Sequence, residues 1–399
     1  MINQLKQKFP TNFINMIIGR STLNIGDSFY LIAFSYAIVQ MYHISASELA
    51  TLTLLSRLPL IFSFTFSSYL NRIHNKKLSL ILLQIIQIVI ITLVAFAFYF
   101  KAPIHYLFIL NTLFYIINTL SNAMSSGIVP QSLNYEADLI EKSVDVQYFT
   151  TNSLDIMSNF VGSLLLLVIS YSHLMIAGIL VIFLGIYFIN QLHLISTKHH
   201  ENTVEENKQF FSSFNVFLSN KLTCFIVLVE SFLSGATDLL LTLIPLYLLQ
   251  IKVDLAHIGL VYAARRLADL LGALIAPTIK INPTKFFCID YIISGALLTL
   301  IFIVDNIWAK LFFYMLAFII IGISGNIFEK MIYASYPPTE LSGIYSIISS
   351  FFSLFGVIFL LVPNFYSNIY VLGVTLNGAT VIIGCVLLIL VKLSAQKMK

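Results

Sequence analysis

The chain has 399 residues, of which 58% are hydrophobic and only 10% charged, with a mean hydropathy of +0.91 and a formal net charge of +4. No soluble domain of this length has that balance, and the apolar runs are long enough to cross a bilayer. The cations are dispersed, which argues against a nucleic-acid partner, and Cys224, Cys288 and Cys385 lie in or beside apolar runs without the spacing of a disulfide frame or zinc site.

Apolar spans are read at 12–42, 47–70, 78–100, 104–128, 146–170, 173–195, 222–250, 256–279, 285–304, 308–332, 343–363 and 368–391. The first follows basic residues but lacks a small-residue cleavage site, so it is expected to be retained as span one. An even number of spans puts both termini on one side. Loops on that side carry nearly all the cations, among them Lys6, Lys8, Arg72, Lys76, Lys77, Lys142, Lys198, Lys208, Lys221, Lys280 and Lys285; only Lys101, Lys252 and Lys310 fall on the other. The positive-inside rule then places both termini in the cytoplasm. The abundance of Ile, Asn, Lys, Phe and Tyr points to an AT-rich bacterial genome, and so to a bacterial cytoplasmic membrane.

Polar residues inside the spans fall on helical faces. Span one carries Arg20, Asn24, Asp27 and Ser28 at three-to-four spacing, and span two carries Arg57. Span four repeats the rhythm with Asn111, Tyr115, Asn118 and Asn122. Span five offers Thr151, Asp155, then Ser158 or Asn159, and Gly162. The polar stretch 196–220 follows span six and divides the chain into an N-terminal six-helix bundle (1–195), a cytoplasmic linker and a C-terminal six-helix bundle (221–399). The Phe-rich second part of this linker reads as an interfacial amphipathic segment. His199 and His200 stand on it as solvated residues, not metal ligands.

Span seven carries Glu230, Ser234, Asp238 and Thr242, each four after the last. Span eight holds the densest charge, with Arg265, Arg266 and Asp269 in one helical turn. A charge at bilayer depth costs about 2.5–3.5 kcal/mol on insertion scales, so these three need partners or water. Arg265 and Asp269 share a face, whereas Arg266 points roughly 100° away and must look to a neighbour or a substrate. Asp290 lies a few residues inside span nine and reads as answering the adjacent loop. Glu329 and Lys330, near the cytoplasmic end of span ten, read as a structural or gating pair. The chain has five Arg against seventeen Lys, and four of the five (Arg20, Arg57, Arg265, Arg266) sit inside spans. Arginine was chosen where a planar, permanently charged fork was required.

The halves echo each other. Asp27 and Asp238 sit near the middle of spans one and seven. Arg57 and the Arg265–Arg266 pair stand at similar depth in spans two and eight, and Pro130 and Pro337 close spans four and ten. Parallel repeats of this kind mark transporters built about an axis along the membrane normal. Twelve spans in a six-plus-six arrangement resemble the major facilitator superfamily. The loop from Ser67 to Lys77 resembles a degraded form of that family's G-x-x-x-D-R-x-G-R-K-K signature. Arg72, Lys76 and Lys77 match it, whereas Ser67, Asn71, His74 and Asn75 depart from it. The opening Gly19-Arg20 and Gly26-Asp27-Ser28-Phe29-Tyr30 resemble the macrolide-efflux-like branch of exporters, and size and organisation are also similar to exporters of staphylopine-type opine metallophores.

The resemblance implies an all-α membrane protein of twelve transmembrane helices in two pseudo-symmetric bundles, with spans one, two, four, five, seven, eight, ten and eleven around a central cavity. It also implies gating contacts at Arg72, Lys76, Lys77, Glu329 and Lys330. The arginines suit a ligand bearing carboxylates. Arg57, Arg265, Arg266, Asn24, Asn118 and Asp155 are therefore the expected substrate contacts, and Asp27, Asp238, Glu230 and Asp269 the candidate proton carriers. The function expected is proton-coupled export of a small polar metabolite, most specifically an opine-type metallophore, by a monomer in contact with membrane lipids and without a cofactor. Alternatives are a multidrug or macrolide-type efflux pump, an importer, and a membrane-embedded enzyme. The enzyme lacks any H-E-x-x-H, G-x-S-x-G or G-x-x-x-x-G-K-S/T pattern to build on.

Overall fold

The computed structural model describes residues 8–42, 46–166, 168–194, 212–251, 255–366 and 368–397. Among these the regular structure is helical: α1 (Thr11–Tyr42), α2 (Ala46–Ile61), α3 (Ser67–Arg72), α4 (Lys76–Tyr99), α5 (Ile104–Ser132), α6 (Ala137–Leu165) and α7 (Tyr171–Asn190), then α8 (Ser212–Ser219), α9 (Lys221–Gln250), α10 (Leu255–Ile275), α11 (Pro283–Ile303), α12 (Ile307–Ser335), α13 (Leu341–Leu361) and α14 (Ile369–Lys397). Twelve of these overlap the twelve spans read from the sequence; α3 covers the end of span two, and α8 is a short addition.

Span two differs from its expectation as one continuous helix over 47–70. Helix α2 contains Pro59 and stops at Ile61, and a 3-10 segment, Ser63–Phe66, separates it from α3. Proline removes one helical donor and crowds the preceding turn. The chain tightens in response: Phe62 N–H donates to Pro59 O at 3.1 Å and Thr65 N–H to Phe62 O at 3.0 Å.

Among the described residues nine helices are long and apolar enough to cross a membrane. Helices α2, α6 and α10 fall outside that set. The first has only 16 residues, and the other two carry intramembrane charges, Asp155 on α6, which also bears Asp145, and Arg265, Arg266 and Asp269 on α10. Helices α4, α7 and α14 instead expose apolar stripes at helical spacing, such as Leu82, Ile86, Val89 and Leu93 on α4 and Ile176, Leu180, Phe183 and Tyr187 on α7. In water such stripes would be sticky patches; against lipid they cost nothing.

The residues gather into two compact units. One is drawn from 1–143, 153–228 and 333–354, the other from 144–152, 229–332 and 355–399. The first has a core of Tyr30, Phe34, Phe98, Leu107, Phe114, Leu174 and Ile182. Within it α1 packs closely on α7 through glycines seven apart on each helix. A Cβ on Gly26 would stand 2.9 Å from Gly178 O, and one on Gly19 3.2 Å from Gly185 O. Small residues let backbones approach where lipid offers no hydrophobic drive to association. The second unit has a core of Leu239, Ile244, Ala268, Phe302, Tyr314, Ala317 and Phe318. There α11 packs on α14, where a Cβ on Gly295 would stand 3.0 Å from Asn377 O. Lys310, read from the sequence as an outer-loop cation, is buried in this unit. Its Nζ donates to Ile301 O at 2.6 Å and to Tyr247 Oη at 3.0 Å, because the chain enters α12 beside the end of α11.

The linker's described part is α8. It docks on α3 with Ser213 and Phe217 buried, and Phe217 stacks on Tyr336 and Phe351. The preceding residues, with His199 and His200, lie outside the described residues, as do His43 and Lys252.

Candidate functional site

In the first unit the polar face of α1 is answered by three other helices. Asp27 is buried, and its carboxylate accepts Gln87 Nε2–H from α4 at 2.6 Å and a short hydrogen bond from Asn118 Nδ2 on α5. Asn122 extends the chain by donating to Asn118 Oδ1 at 2.9 Å. One turn away, Tyr30 donates to Asn111 Oδ1 at 3.1 Å, and Asn111 donates to Ser56 Oγ of α2 at 3.0 Å. On the flank towards α6, Asn24 Nδ2 donates to Asp155 Oδ1 at 2.7 Å and Ser158 donates to Ser28 at 3.0 Å. Half-buried Arg57 lies within electrostatic reach of Tyr115. Asn24, Asp27 and Ser28 of the face read from helical spacing thus each find a polar partner on a neighbouring helix. Amide donors surround Asp27, where an arginine would have been the simplest partner.

Gln87 was missed by the sequence reading, which noted that span three has no acid or arginine and left it outside the ring around the cavity. Its face opposite the exposed apolar stripe holds Gln84 and Gln87, both fully buried. The signal was available: two glutamines three apart in an otherwise apolar run share a helix face.

The loop that resembles the family signature forms a second site in the same unit, with a part no charge pattern revealed. Asn71 stands where the signature has aspartate. Its Nδ2 donates to Glu340 Oε2 at 2.6 Å and to Ser213 Oγ at 2.9 Å, while its Oδ1 accepts Gly343 N–H at 2.8 Å. Buried Lys76 donates to Ser342 Oγ at 3.3 Å and is electrostatically coupled to Glu340. A Cβ on Gly127 would strike Ser342 Oγ, so glycine is what lets α5 approach this point. Ser63, in the break after α2, donates to Ser346 O at 2.8 Å, and Ser350 Oγ accepts Phe64 N–H at 2.7 Å. Lys77 goes elsewhere. Its Nζ donates to the carbonyls of Asn190 and Leu192 at 2.6 and 2.9 Å, capping the C-terminal end of α7. Arg72, with His74, Lys76, Lys77 and His193, lines an open cavity of about 650 Å³ that no acidic side chain borders among the described residues.

In the second unit Arg265 Nε stands 3.9 Å from Asp269 Oδ2, and its guanidinium lies over the Phe318 ring at 5.2 Å. The shared face expected for Arg265 and Asp269 is present, at the outer limit of an ion pair. Arg266 is exposed and Asp238 half-buried. Lys330 pairs with Asp145 of α6 at 2.7 Å, and Glu329 lies within electrostatic reach of Tyr148. Tyr148 packs over Gly325, where any Cβ would overlap its hydroxyl.

Glu230 accepts a 2.6 Å hydrogen bond from Tyr291 of α11 and lies within electrostatic reach of Asp290. The sequence reading had Asp290 answering the nearby loop. It is instead 4% exposed, turned inward among α9, α11 and α12. Helical phase fits the inward turn: Asp290 stands four residues from the buried Phe286 and Ser294, while the exposed Ile289 points roughly 100° away.

No protein-family model and no curated protein sequence matches the chain. Solved structures do. A bacterial homologue of the iron transporter ferroportin, in an outward-facing state, superposes with a TM-score of 0.73 at 14% identity, covering 95% of this chain and 98% of that one. The major facilitator superfamily transporter FucP, in its outward conformation, gives 0.73 at 13% identity over 93% and 97%. The proton:xylose symporter XylE gives 0.67 at 10% identity over 93% and 94%. The likeness is one of fold: the chain has the all-helical major facilitator architecture of twelve spans in two six-helix bundles.

Proposed function

We propose that this chain is a proton-coupled secondary transporter that exports a small polar, carboxylate-bearing metabolite across a bacterial cytoplasmic membrane, with both termini cytoplasmic. The observation that carries the reading is Arg266. It sits near the middle of α10 and is exposed, and an exposed guanidinium at bilayer depth must face water, since hydrocarbon would not hold it. Buried polar groups on α1, α2, α4, α5 and α6 support the same hydrated interior. The three solved proteins of this fold are described as transporters or homologues of one, which supports movement of a solute over catalysis.

In this reading Arg57 with Arg265 or Arg266 holds substrate carboxylates, because the guanidinium fork pairs with them in two parallel hydrogen bonds. Asn24, Asn118 and Asp155 supply polar contacts to the rest of the ligand, and Asp27, Asp238, Glu230 and Asp269 are the acids from which the proton carrier is drawn. The Asn71–Glu340 and Lys76–Ser342 contacts close the cytoplasmic end, with the Lys330–Asp145 pair as a second clasp. An opine-type metallophore, an amino-polycarboxylate, is the substrate class that this mixture of arginines and acids suits best. A lipophilic cation, as a multidrug pump would carry, suits it less, since the arginines would repel it.

Uptake into inverted membrane vesicles tests the reading. The expected result is accumulation of an opine-type polycarboxylate driven by an inside-acid gradient and abolished by Arg57→Lys. Undiminished transport by Arg57→Lys would remove the carboxylate argument.

A further inference from the structure

The acids on α9 and α11 pose a charge problem that substrate contact does not solve. Glu230 is the tenth residue of α9 and Asp290 the eighth of α11, which puts them roughly 11–14 Å along their helices, inside a hydrocarbon layer about 30 Å thick. Each lies within electrostatic reach of the other. Tyr291 donates to Glu230, and the hydroxyls of Ser294 and Ser324 face the Asp290 carboxylate. Yet Asp290 Oδ1 and Ser324 Oγ, both buried, complete no hydrogen bond. Among the described residues the other titratable groups that face the cluster are Tyr291 and Cys288 of α11 and Tyr148 of α6. None brings a positive charge. Elsewhere in this unit Arg265 and Arg266 lie within electrostatic reach of Asp269, and Lys330 pairs with Asp145.

Two carboxylates side by side at this depth, with no arginine, lysine or histidine against them among the described residues, call for a positive charge from outside the chain. The groups on offer are mostly oxygens, the donors that a small hard cation takes. We infer that the Glu230–Asp290 cluster, with Ser294, Ser324 and Tyr291, is a binding site for one monovalent cation, H⁺ or Na⁺. This deepens the transport reading by giving the coupling ion a place on α9, α11 and α12, apart from the arginines. Asp27 is a poorer seat, since amide donors already meet both its carboxylate oxygens. The coupling role rests on the transport reading; ion binding does not.

The thermal unfolding midpoint of the purified full-length protein in detergent tests the site without any substrate. One arm adds NaCl in place of choline chloride at pH 8.5; the other lowers the pH to 5.5 without sodium. At least one arm is expected to raise the midpoint in a saturating way, and Asp290→Asn and Glu230→Gln to lose that response while Asp138→Asn, at an exposed surface pair, keeps it. A response to sodium alone identifies Na⁺; a response to acid alone that these variants lose identifies H⁺. Should the acid variants fail to fold, Ser324→Ala keeps both carboxylates, and it is expected to raise the half-saturating ion concentration about tenfold. A midpoint indifferent to both ions overturns the proposal. So does a variant response identical to that of the unaltered chain. Neither result touches the transport reading, because no solute is moved in the assay.

Discussion

Replacing Asn71 by alanine removes three hydrogen bonds at once: to Glu340 at 2.6 Å, to Ser213 at 2.9 Å and from Gly343 N–H at 2.8 Å. A bond to a charged acceptor contributes about 1.5–3 kcal/mol and each neutral one about 0.5–1.5 kcal/mol, so their sum is roughly 2.5–6 kcal/mol. Asn71 and Glu340 are only partly buried, and water will replace some of what is lost, which brings the expected cost down to about 2–3 kcal/mol. That corresponds to a roughly 30- to 150-fold rise in the opening of the start of α13. Amide hydrogen exchange reads this directly. The backbone from Ser342 to Ser350 should exchange faster by that factor in Asn71→Ala, while α7 and α14 keep their rates. Exchange within about twofold of the unaltered chain would refute the assignment of Asn71 as the anchor of this contact. Asn71→Asp, which restores the signature's residue, puts a carboxylate against Glu340 and should also loosen the segment.

Gly26→Val forces branched carbons into the space held by Ile182 and Gly178 O; overpacking of about 1–3 kcal/mol should lower the unfolding midpoint and spread α1 from α7. An unchanged midpoint would mean that the helices separate freely. Asp27→Asn halves the acceptors available to Gln87 and Asn118, with an expected loss of about 2–4 kcal/mol in thermal or denaturant unfolding. Full stability would show that the carboxylate is not what orders those amides. Lys310→Met removes a buried ammonium but leaves its stem volume, so stability should change by no more than about 1 kcal/mol; a loss of about 3 kcal/mol or more would show that the Ile301 and Tyr247 contacts are essential.

Helix number and the polar faces of spans one, four and five were legible in the sequence because hydropathy and helical spacing are local properties. Asn24, Asp27, Asn118 and Asp155 meet because each was placed on a face by its own helix. What spacing does not carry is the partner. Asp27 draws on Gln87, from a helix left outside the ring around the cavity, and Asp290 turns inward although its distance from the loop suggested otherwise. The break after α2 was masked by hydropathy that runs straight through Pro59. The Asn71 contact was hidden for a different reason. The family signature directs attention to charges, and here a neutral amide binds Glu340, Ser213 and Gly343 through both of its ends.

The most direct measurement is of what the chain moves. Metabolites in medium and cytoplasm should be compared for cells that carry the gene, lack it, or carry Arg57→Lys at equal expression. An amino-polycarboxylate should accumulate in the medium only with the unaltered gene and be retained in the cytoplasm in the other two. Identical distributions in all three, or export of carboxylate-bearing metabolites that survives Arg57→Lys, would contradict the claim that guanidinium groups hold an acidic solute during transport.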